Sequence, residues 1–418
     1  MGGHFAAQGA CMKRLIGYMA ALCLLAIMVG CGGVSSTGTL AYISNETGSG
    51  YTVYSVNTDG TLTLNSISPQ DTPASPQDLQ FSANGKWAYF LDKGGLNIYG
   101  YTRAGNGTLA NRVGDPQPVG SGVYGASSLV ISPNSNFVYV SMPSQSPTTV
   151  PNRLYIYSID SSTGVLSGVG SGMQVGYAIN HLVMSPSGTL LFGLSTSQQS
   201  IVSWTLNAST GVAIQQSVTS VGVEPNWLAL SSNGDYAYVT DASATTKVLT
   251  TGTTSYYSPN IYGFTVGSGG VLTAMPDSPF NENASLLTGN YPTSPAFAVT
   301  SNDNRYLFVA NQGSHDISVF QIATGSSTST AGYLTEVLGS VTTVQGVKTS
   351  TASPFDCGTG CSSPFFMAVP PDNNALYVLD SGSSNLFQFQ IDQNTGRLRA
   401  MSPASISGFS TPVWITLK

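Results

Sequence analysis

A turn glycine followed two residues later by leucine, or in one copy by alanine, recurs seven times along the 418-residue chain. Successive copies are separated by roughly 45 to 70 residues, the length of one four-stranded propeller blade with loop insertions. In the fourth copy Ala213 takes the place of the leucine. The seven glycines are Gly60, Gly107, Gly164, Gly211, Gly270, Gly332 and Gly396. The repeat therefore predicts seven four-stranded units.

The two ends of the mature chain complement each other. The chain enters the repeat at residues 40–43 (LAYI), which match the second strand of a unit, and it ends at residues 412–417 (PVWITL), which match a first strand. Pairing these segments removes the open sheet edges that favour aggregation. We therefore predict an all-β fold: a seven-bladed β-propeller of four-stranded antiparallel blades, closed by the C-terminal strand in the N-terminal blade.

Composition supports this fold and excludes some partners. Charged residues make up 8% of the chain and apolar residues 41%, which suits short strands and tight turns better than solvated helices. The net charge is −6, and the basic pair Lys13–Arg14 lies at the N-terminus, so nucleic-acid binding is not expected. With only three histidines, a histidine metal cluster is poorly supported, and we predict neither a metal nor a cofactor.

The N-terminus has the features of an export signal. Lys13 and Arg14 precede an apolar run over residues 15–29, which is shorter than the roughly 20 residues of a membrane-spanning helix. The following Gly30–Cys31 completes a segment (MVGC) that resembles a bacterial lipobox, so Cys31 is the predicted lipidation site. A plain cleaved signal and an uncleaved anchor are the alternatives. Translation starts at either Met1 or Met12, and residues 1–11 favour the second start.

These features divide the chain into a signal peptide (1–30), a lipidated tether (31–38) and the propeller (39–418). They predict an exported bacterial lipoprotein, monomeric and held in the cell envelope by its lipid, either in the periplasm or on the cell surface. Long insertions at residues 243–259, 277–291 and 324–363 are expected to cover one face of the propeller.

The repeats resemble the seven-bladed lactonase family, which includes 6-phosphogluconolactonase and carboxy-muconate cycloisomerases. The best local matches lie at residues 297–320 and 391–398, and the resemblance extends over residues 40–418. In active members a His, a Pro-Arg-His, an Asn-Glu and an Asn-Arg-Gly face the central funnel. The resemblance therefore implies a site in the funnel that hydrolyses a lactone.

The chain departs from the family at those positions. They read Asn180 followed by His181, Pro225-Asn226-Trp227, Thr240-Asp241 and Asn311-Gln312-Gly313. Both arginines are absent, and a neutral amide replaces neither the charge nor the paired donors of a guanidinium. Asp241 and His181 remain the candidate catalytic residues. The candidate ligand-binding residues are Asn180, His181, Asn226, Trp227, Asp241, Gln312 and Trp414.

Several candidates have a structural interpretation as well. His181 begins an inner strand and either faces a ligand or packs against its neighbours. Trp227 and Trp414 occupy equivalent inner-strand positions, with Phe366 at a third, and either pack between blades or form an aromatic rim for sugar or aromatic rings. No Gly-x-Ser-x-Gly motif supports a serine hydrolase.

Cys357 and Cys361 lie in the long insertion before the seventh unit. An exported location is oxidising, so a structural disulfide is predicted, with a redox pair or half of a metal site as alternatives.

Three functions follow from the sequence. The first is a binding or scaffold protein of the cell envelope, recognising a small molecule or an envelope protein, because the ring is intact whereas the charged site residues are lost. The second is a hydrolase of a small lactone, a carboxylic ester hydrolase that uses Asp241 and His181. The third is a carbohydrate-binding module that uses the aromatic rim. Fold alone does not choose between them.

Overall fold

The computed structural model describes residues 36–45, 50–72, 76–92, 94, 96–119, 125–144, 150–243, 245–248, 254–257, 260–281, 292–325, 330–338, 340–344, 347–351 and 355–418. The predicted signal peptide and the lipidation site Cys31 lie outside these residues. Within the described part, no helix combines the length and the apolar character needed to cross a membrane.

In the part of the chain that the structure describes, seven antiparallel sheets form the blades, each built on a path of four strands that runs in chain order from the channel outwards in blades two to seven. The strands of blades one to four, innermost first, are Pro412–Leu417, Ser36–Asn45, Tyr51–Asn57 and Leu62–Leu64; Pro76–Phe81, Trp87–Asp92, Asn97–Arg103 and Leu109–Arg112; Ser128–Ile131, Phe137–Met142, Arg153–Ile159 and Leu166–Gly168; His181–Met184, Leu190–Ser195, Ser200–Leu206 and Ala213–Ser220.

The strands of blades five to seven are Pro225–Leu230, Tyr236–Asp241, Asn260–Val266 and Leu272–Ala274; Pro295–Thr300, Tyr306–Asn311, Asp316–Ile322 and Leu334–Glu336; Pro364–Ala368, Ala375–Asp380, Asn385–Ile391 and Leu398–Ile406. Short strands Gln117–Pro118, Met173–Gln174 and Phe355–Asp356 add to the third strands of blades two, three and six. A 3-10 turn spans Ser268–Gly270. Hairpins within two insertions pair Thr245–Val248 with Thr254–Tyr257 and Ser340–Val344 with Val347–Thr351.

The predicted fold and ring closure are confirmed. The C-terminal strand Pro412–Leu417 pairs antiparallel with Ser36–Asn45, so both ends of the chain contribute to blade one. Two backbone hydrogen bonds between Leu40 and Lys418, of 2.7 and 2.9 Å, extend this pairing. The N-terminal blade therefore lacks an inner strand until the last residues of the chain are in place.

The repeated glycines join neighbouring blades. All seven turn glycines have φ between 72° and 95°, which an L-residue rarely adopts. In five blades a tyrosine hydroxyl on the second strand donates a hydrogen bond to the carbonyl oxygen of the next blade's turn glycine, with distances of 2.5 to 2.9 Å. The pairs are Tyr42–Gly107, Tyr89–Gly164, Tyr139–Gly211, Tyr238–Gly332 and Tyr377–Gly60. This repeated contact links each of these blades to the next one around the channel.

Candidate functional site

The seven inner strands surround a cavity of about 400 Å³ in the central channel. Every inner strand contributes residues to the lining of the cavity, and we call the first lining residue of each strand, taken together, the channel ring. In blade order it consists of Trp414, Asp78, Ser128, His181, Trp227, Phe297 and Phe366. The cavity extends from the ring towards the turns after the inner strands, as far as Pro133 and Pro186.

Five of the seven ring members form a continuous aromatic arc. The ring centroids of His181 and Trp227 lie 3.6 Å apart, with the planes inclined by 27°. From Trp227 the arc continues through Phe297 and Phe366 to Trp414, and each step is 4.3 Å. The arc confirms that Trp227, Phe366 and Trp414 are equivalent, and it adds Phe297, which the sequence analysis did not single out. Both tryptophans are half-buried and covered by neighbouring rings.

Asp78 and Ser128 complete the ring opposite the arc. The inner strand of blade two contains one extra residue between Gln77 and Gln80, and Asp78 within this bulge has φ of 49°. Positive φ is uncommon outside glycine, and bulges often redirect a side chain beside a functional site. In blade five the corresponding irregularity comes earlier, between Pro225 and Trp227. Asp78 and Trp227 each lie two residues after the proline that begins their inner strand, and both line the cavity, so blade two differs from blade five in having a carboxyl group there.

The carboxyl group of Asp78 is buried but keeps room for another partner. Oδ2 accepts a hydrogen bond from the Leu129 backbone N–H at 2.5 Å, and Oδ1 accepts one from Gln80 Nε2 at 3.0 Å. The Ser128 hydroxyl supplies a third. A carboxylate offers about four acceptor positions, so these three bonds leave one of them free. Burial raises the pKa of Asp78 to about 6, and the three hydrogen bonds oppose that rise.

His181 lines the same cavity as a neutral ring. Burial lowers its pKa to about 3, and a hydrogen bond with the Leu228 backbone opposes this effect. The imidazole is therefore uncharged at neutral pH and stacks on Trp227. It joins the polar and aromatic parts of the channel ring.

The other residues implied by the family resemblance are not among the described residues that line the cavity. Asn180 and Asn226 each precede a ring member and are exposed. The Asn180 side-chain oxygen accepts hydrogen bonds from the N–H and hydroxyl of Thr196 at 3.1 and 2.9 Å. Asn226 Nδ2 donates to the Pro295 carbonyl oxygen at 2.9 Å, and Gln312 Nε2 donates to Ser363 Oγ at 2.9 Å. The last two amides therefore bridge adjacent blades.

Asp241 is fully buried and engaged with the loops around it. Its Oδ2 accepts hydrogen bonds from the N–H groups of Val223 and Glu224 at 2.6 and 3.0 Å. Its Oδ1 accepts from the Ser243 N–H at 2.8 Å and from the Ser243 hydroxyl. These four bonds fill the acceptor capacity of a carboxylate. Asp380 makes the same pattern in blade seven, so the position serves to hold the loops together.

Cys357 and Cys361 form a disulfide in the structure, as predicted, with Cα atoms 5.7 Å apart. The two sulfur atoms and the Asp380 carboxylate lie within 4.8 Å of one another, an arrangement that would also suit a metal ion if the sulfurs were reduced. With the disulfide formed, the sulfurs are not thiolate ligands. The pair lies directly before the inner strand of blade seven and tightens the loop that leads into it.

Comparison with known proteins identifies the family. The family model described as "Lactonase, 7-bladed beta-propeller" matches residues 189–406, which is just over half of the chain. The chain belongs to the seven-bladed β-propeller lactonase family. A search of curated protein sequences found no match.

Solved structures share the fold of this lactonase-family propeller. A putative 6-phosphogluconolactonase from Bacteroides uniformis is 16% identical, with a TM-score of 0.66 over 91% of this chain and 99% of that one. The periplasmic gluconolactonase of Pseudomonas aeruginosa is also 16% identical, with a TM-score of 0.63 over 91% and 98% of the two chains. At this identity the likeness concerns the fold.

Proposed function

We propose that this lactonase-family propeller hydrolyses a small lactone in the channel cavity, with Asp78 as the general base. The observation that carries the proposal is a buried carboxyl group that lines a cavity of about 400 Å³. A carboxyl group with a pKa of about 6 is largely ionised at neutral pH while remaining basic enough to accept a proton. Family membership, and structural neighbours described as gluconolactonases, support lactones as the substrates.

The reaction needs only water and the lactone. Asp78 removes a proton from a water molecule as the water oxygen bonds to the lactone carbonyl carbon. The ring C–O bond then breaks, the proton passes from Asp78 to the departing oxygen, and a hydroxy acid is released. Gln80 donates one N–H of its side-chain amide to Asp78 and lines the cavity, so its second N–H is the donor available to the developing negative charge.

The test is hydrolysis of a panel of lactones by the full chain, followed by pH-stat. Asp78→Asn should reduce kcat/KM by about 10²–10⁴-fold, the range usual for loss of a general base. The wild-type rate should rise with pH through about 6, following the pKa of Asp78. Asp71→Asn is the matched control, since it makes the same charge change on an exposed side chain of blade one's outer loop. Unchanged turnover in Asp78→Asn would refute the proposal.

Binding without turnover is the second candidate. It is favoured by the hydrogen bonds that occupy Asp241 and by the neutral amides of Asn226 and Gln312, which already bridge blades. The panel separates the two candidates, because a binding protein would leave every lactone at its uncatalysed rate while still retaining one of them in equilibrium dialysis.

We also propose that the chain is exported and held in the cell envelope by lipid on Cys31. The proposal rests on the sequence pattern of Lys13, Arg14, the apolar run and Gly30–Cys31. Metabolic labelling with a fatty acid should mark the wild-type chain and not Cys31→Ser. Labelling of both proteins would contradict it.

A further inference from the structure

We infer that the channel cavity takes an uncharged lactone that carries a planar apolar ring, in preference to a phosphorylated or carboxylated sugar lactone. This inference rests on the proposed function for the reaction, although the choice of ligand is tested separately below. It depends on three properties of the cavity: its charge, the shape of its wall, and the chemistry that its residues can supply.

The charge of the cavity disfavours anions. Among the described residues that line it, Asp78 is the only one with a formal charge, because burial keeps His181 neutral. No lysine or arginine is among those lining residues. A phosphate or carboxylate on the ligand would therefore meet a like charge in a partly desolvated site, where repulsion is stronger than in water, with no lining cation to offset it.

The wall of the cavity favours a flat apolar ligand. The aromatic arc runs round one side of the channel, and the strands beyond it contribute aliphatic side chains such as Val130, Val183 and Val299. Aromatic side chains contact planar rings in offset or edge-to-face arrangements. The volume of about 400 Å³ lies near the lower end of the range for small-molecule sites, about 300–1,000 Å³, which suits a ligand of one or two rings.

The chemistry points in the same direction. A site with one carboxylate and no lining cation stabilises a departing alkoxide poorly. A phenol ester needs less help, because the oxygen that departs on ring opening is a phenolate, whose conjugate acid has a pKa near that of tyrosine, about 10. A lactone fused to an aromatic ring therefore combines the preferred leaving group with the preferred shape.

The experiment compares three lactones with the full chain: dihydrocoumarin, glucono-δ-lactone and 6-phosphoglucono-δ-lactone. After correction for the uncatalysed rate of each lactone, we expect kcat/KM for dihydrocoumarin to exceed that for the phosphorylated lactone by at least tenfold. In parallel, calorimetry measures binding of the uncharged lactam analogue of dihydrocoumarin and of 6-phosphogluconate. Faster turnover of the phosphorylated lactone would overturn the inference while leaving the proposed function intact, and tighter binding of 6-phosphogluconate than of the lactam would overturn the inference whatever the turnover.

The remaining outcomes separate the two proposals. Lactam binding without turnover of any lactone would support the inference and refute the proposed function. Binding of neither compound would overturn the inference. As a gain-of-function test, Val130→Arg adds a cation to the cavity wall and should improve binding of 6-phosphogluconate at least tenfold. Val271→Arg is its matched control, since Val271 is 49% exposed and lies outside the lining residues.

Discussion

The two sides of the channel ring differ in how they accommodate the unpaired backbone groups of the inner strands. On the aromatic side, four steps of ring contact from His181 to Trp414 fill the space between the inner strands. On the polar side, Asp78 and Ser128 accept hydrogen bonds from inner-strand N–H groups of the next blade, those of Leu129 and Leu182. Inner strands are sheet edges with unpaired backbone groups facing the channel, so each side must either satisfy or cover them.

The difference has a consequence for function. Side chains that cover an edge by packing contribute mainly to stability and shape, whereas side chains that satisfy it by hydrogen bonding keep titratable groups inside the channel. The polar side therefore supplies the ionisable carboxyl group of the cavity, and the aromatic side determines the shape of the cavity wall. His181 belongs to both, as a neutral imidazole stacked on Trp227.

The largest effect should come from the aromatic side. Trp227→Ala removes contacts with three rings, those of His181, Phe297 and Phe366, and should lower the free energy of unfolding by about 3 kcal/mol or more. Urea unfolding followed by far-UV circular dichroism measures this loss. Trp227→Phe is the control, because it keeps an aromatic ring in the arc and should recover most of the stability. A loss below about 1 kcal/mol for the alanine variant would be no more than the usual cost of one hydrogen bond. It would mean that the aromatic side contributes no more to stability than the polar side does.

A second effect should appear as opposite pH dependences. Asp78 has a pKa of about 6 in the fold against an ordinary value of 3.8, so its contribution is full below about 3.8 and is lost as pH rises through 6. His181 has a pKa of about 3 against 6.5, so its contribution is full above 6.5 and is lost as pH falls towards 3. Between about pH 4 and 6 the two contributions oppose each other, each with a slope of up to about 1.4 kcal/mol per pH unit.

Single variants should uncover these slopes. Across about pH 4 to 6, Asp78→Asn should become less stable than the wild type on acidification, and His181→Gln more stable, as measured by urea unfolding. All other titratable groups are common to the three proteins, so the difference from the wild type isolates each residue. Equal slopes in all three proteins would show that neither group titrates differently in the fold.

The fold could be predicted from the sequence because the sequence features that specify it are local and repeated. The turn glycines at Gly60 and Gly396 need a left-handed backbone, and the final strand at residues 412–417 matches the other inner strands position by position. Such signals survive at low identity, since they depend on backbone geometry and on alternation of buried residues rather than on particular side-chain contacts.

The candidate functional site could be predicted from the sequence only in part. Motif positions led to Asp241, but its four hydrogen bonds come from loops whose course the sequence does not specify. Asp78 was missed, although Pro76-Gln77-Asp78-Leu79 aligns with Pro225-Asn226-Trp227-Leu228 and so places a carboxyl group at a tryptophan's position. The bulge that contains Asp78 depends on pairing with the second strand, which composition and periodicity do not show.

The smallest effect tests the polar side alone. Ser128→Ala removes the hydroxyl that bonds to Asp78 and accepts the Leu182 N–H at 3.1 Å, and should cost about 1 kcal/mol of stability. Because that hydroxyl lowers the pKa of Asp78, its loss should move the rising limb of the pH–rate profile to higher pH. Ser127→Ala is the matched control: its hydroxyl bonds to the Ile179 carbonyl oxygen at 3.0 Å and lies one residue away on the exposed side. An equal shift in both variants would mean that the pKa of Asp78 depends on general packing of the polar side and not on the Ser128–Asp78 contact.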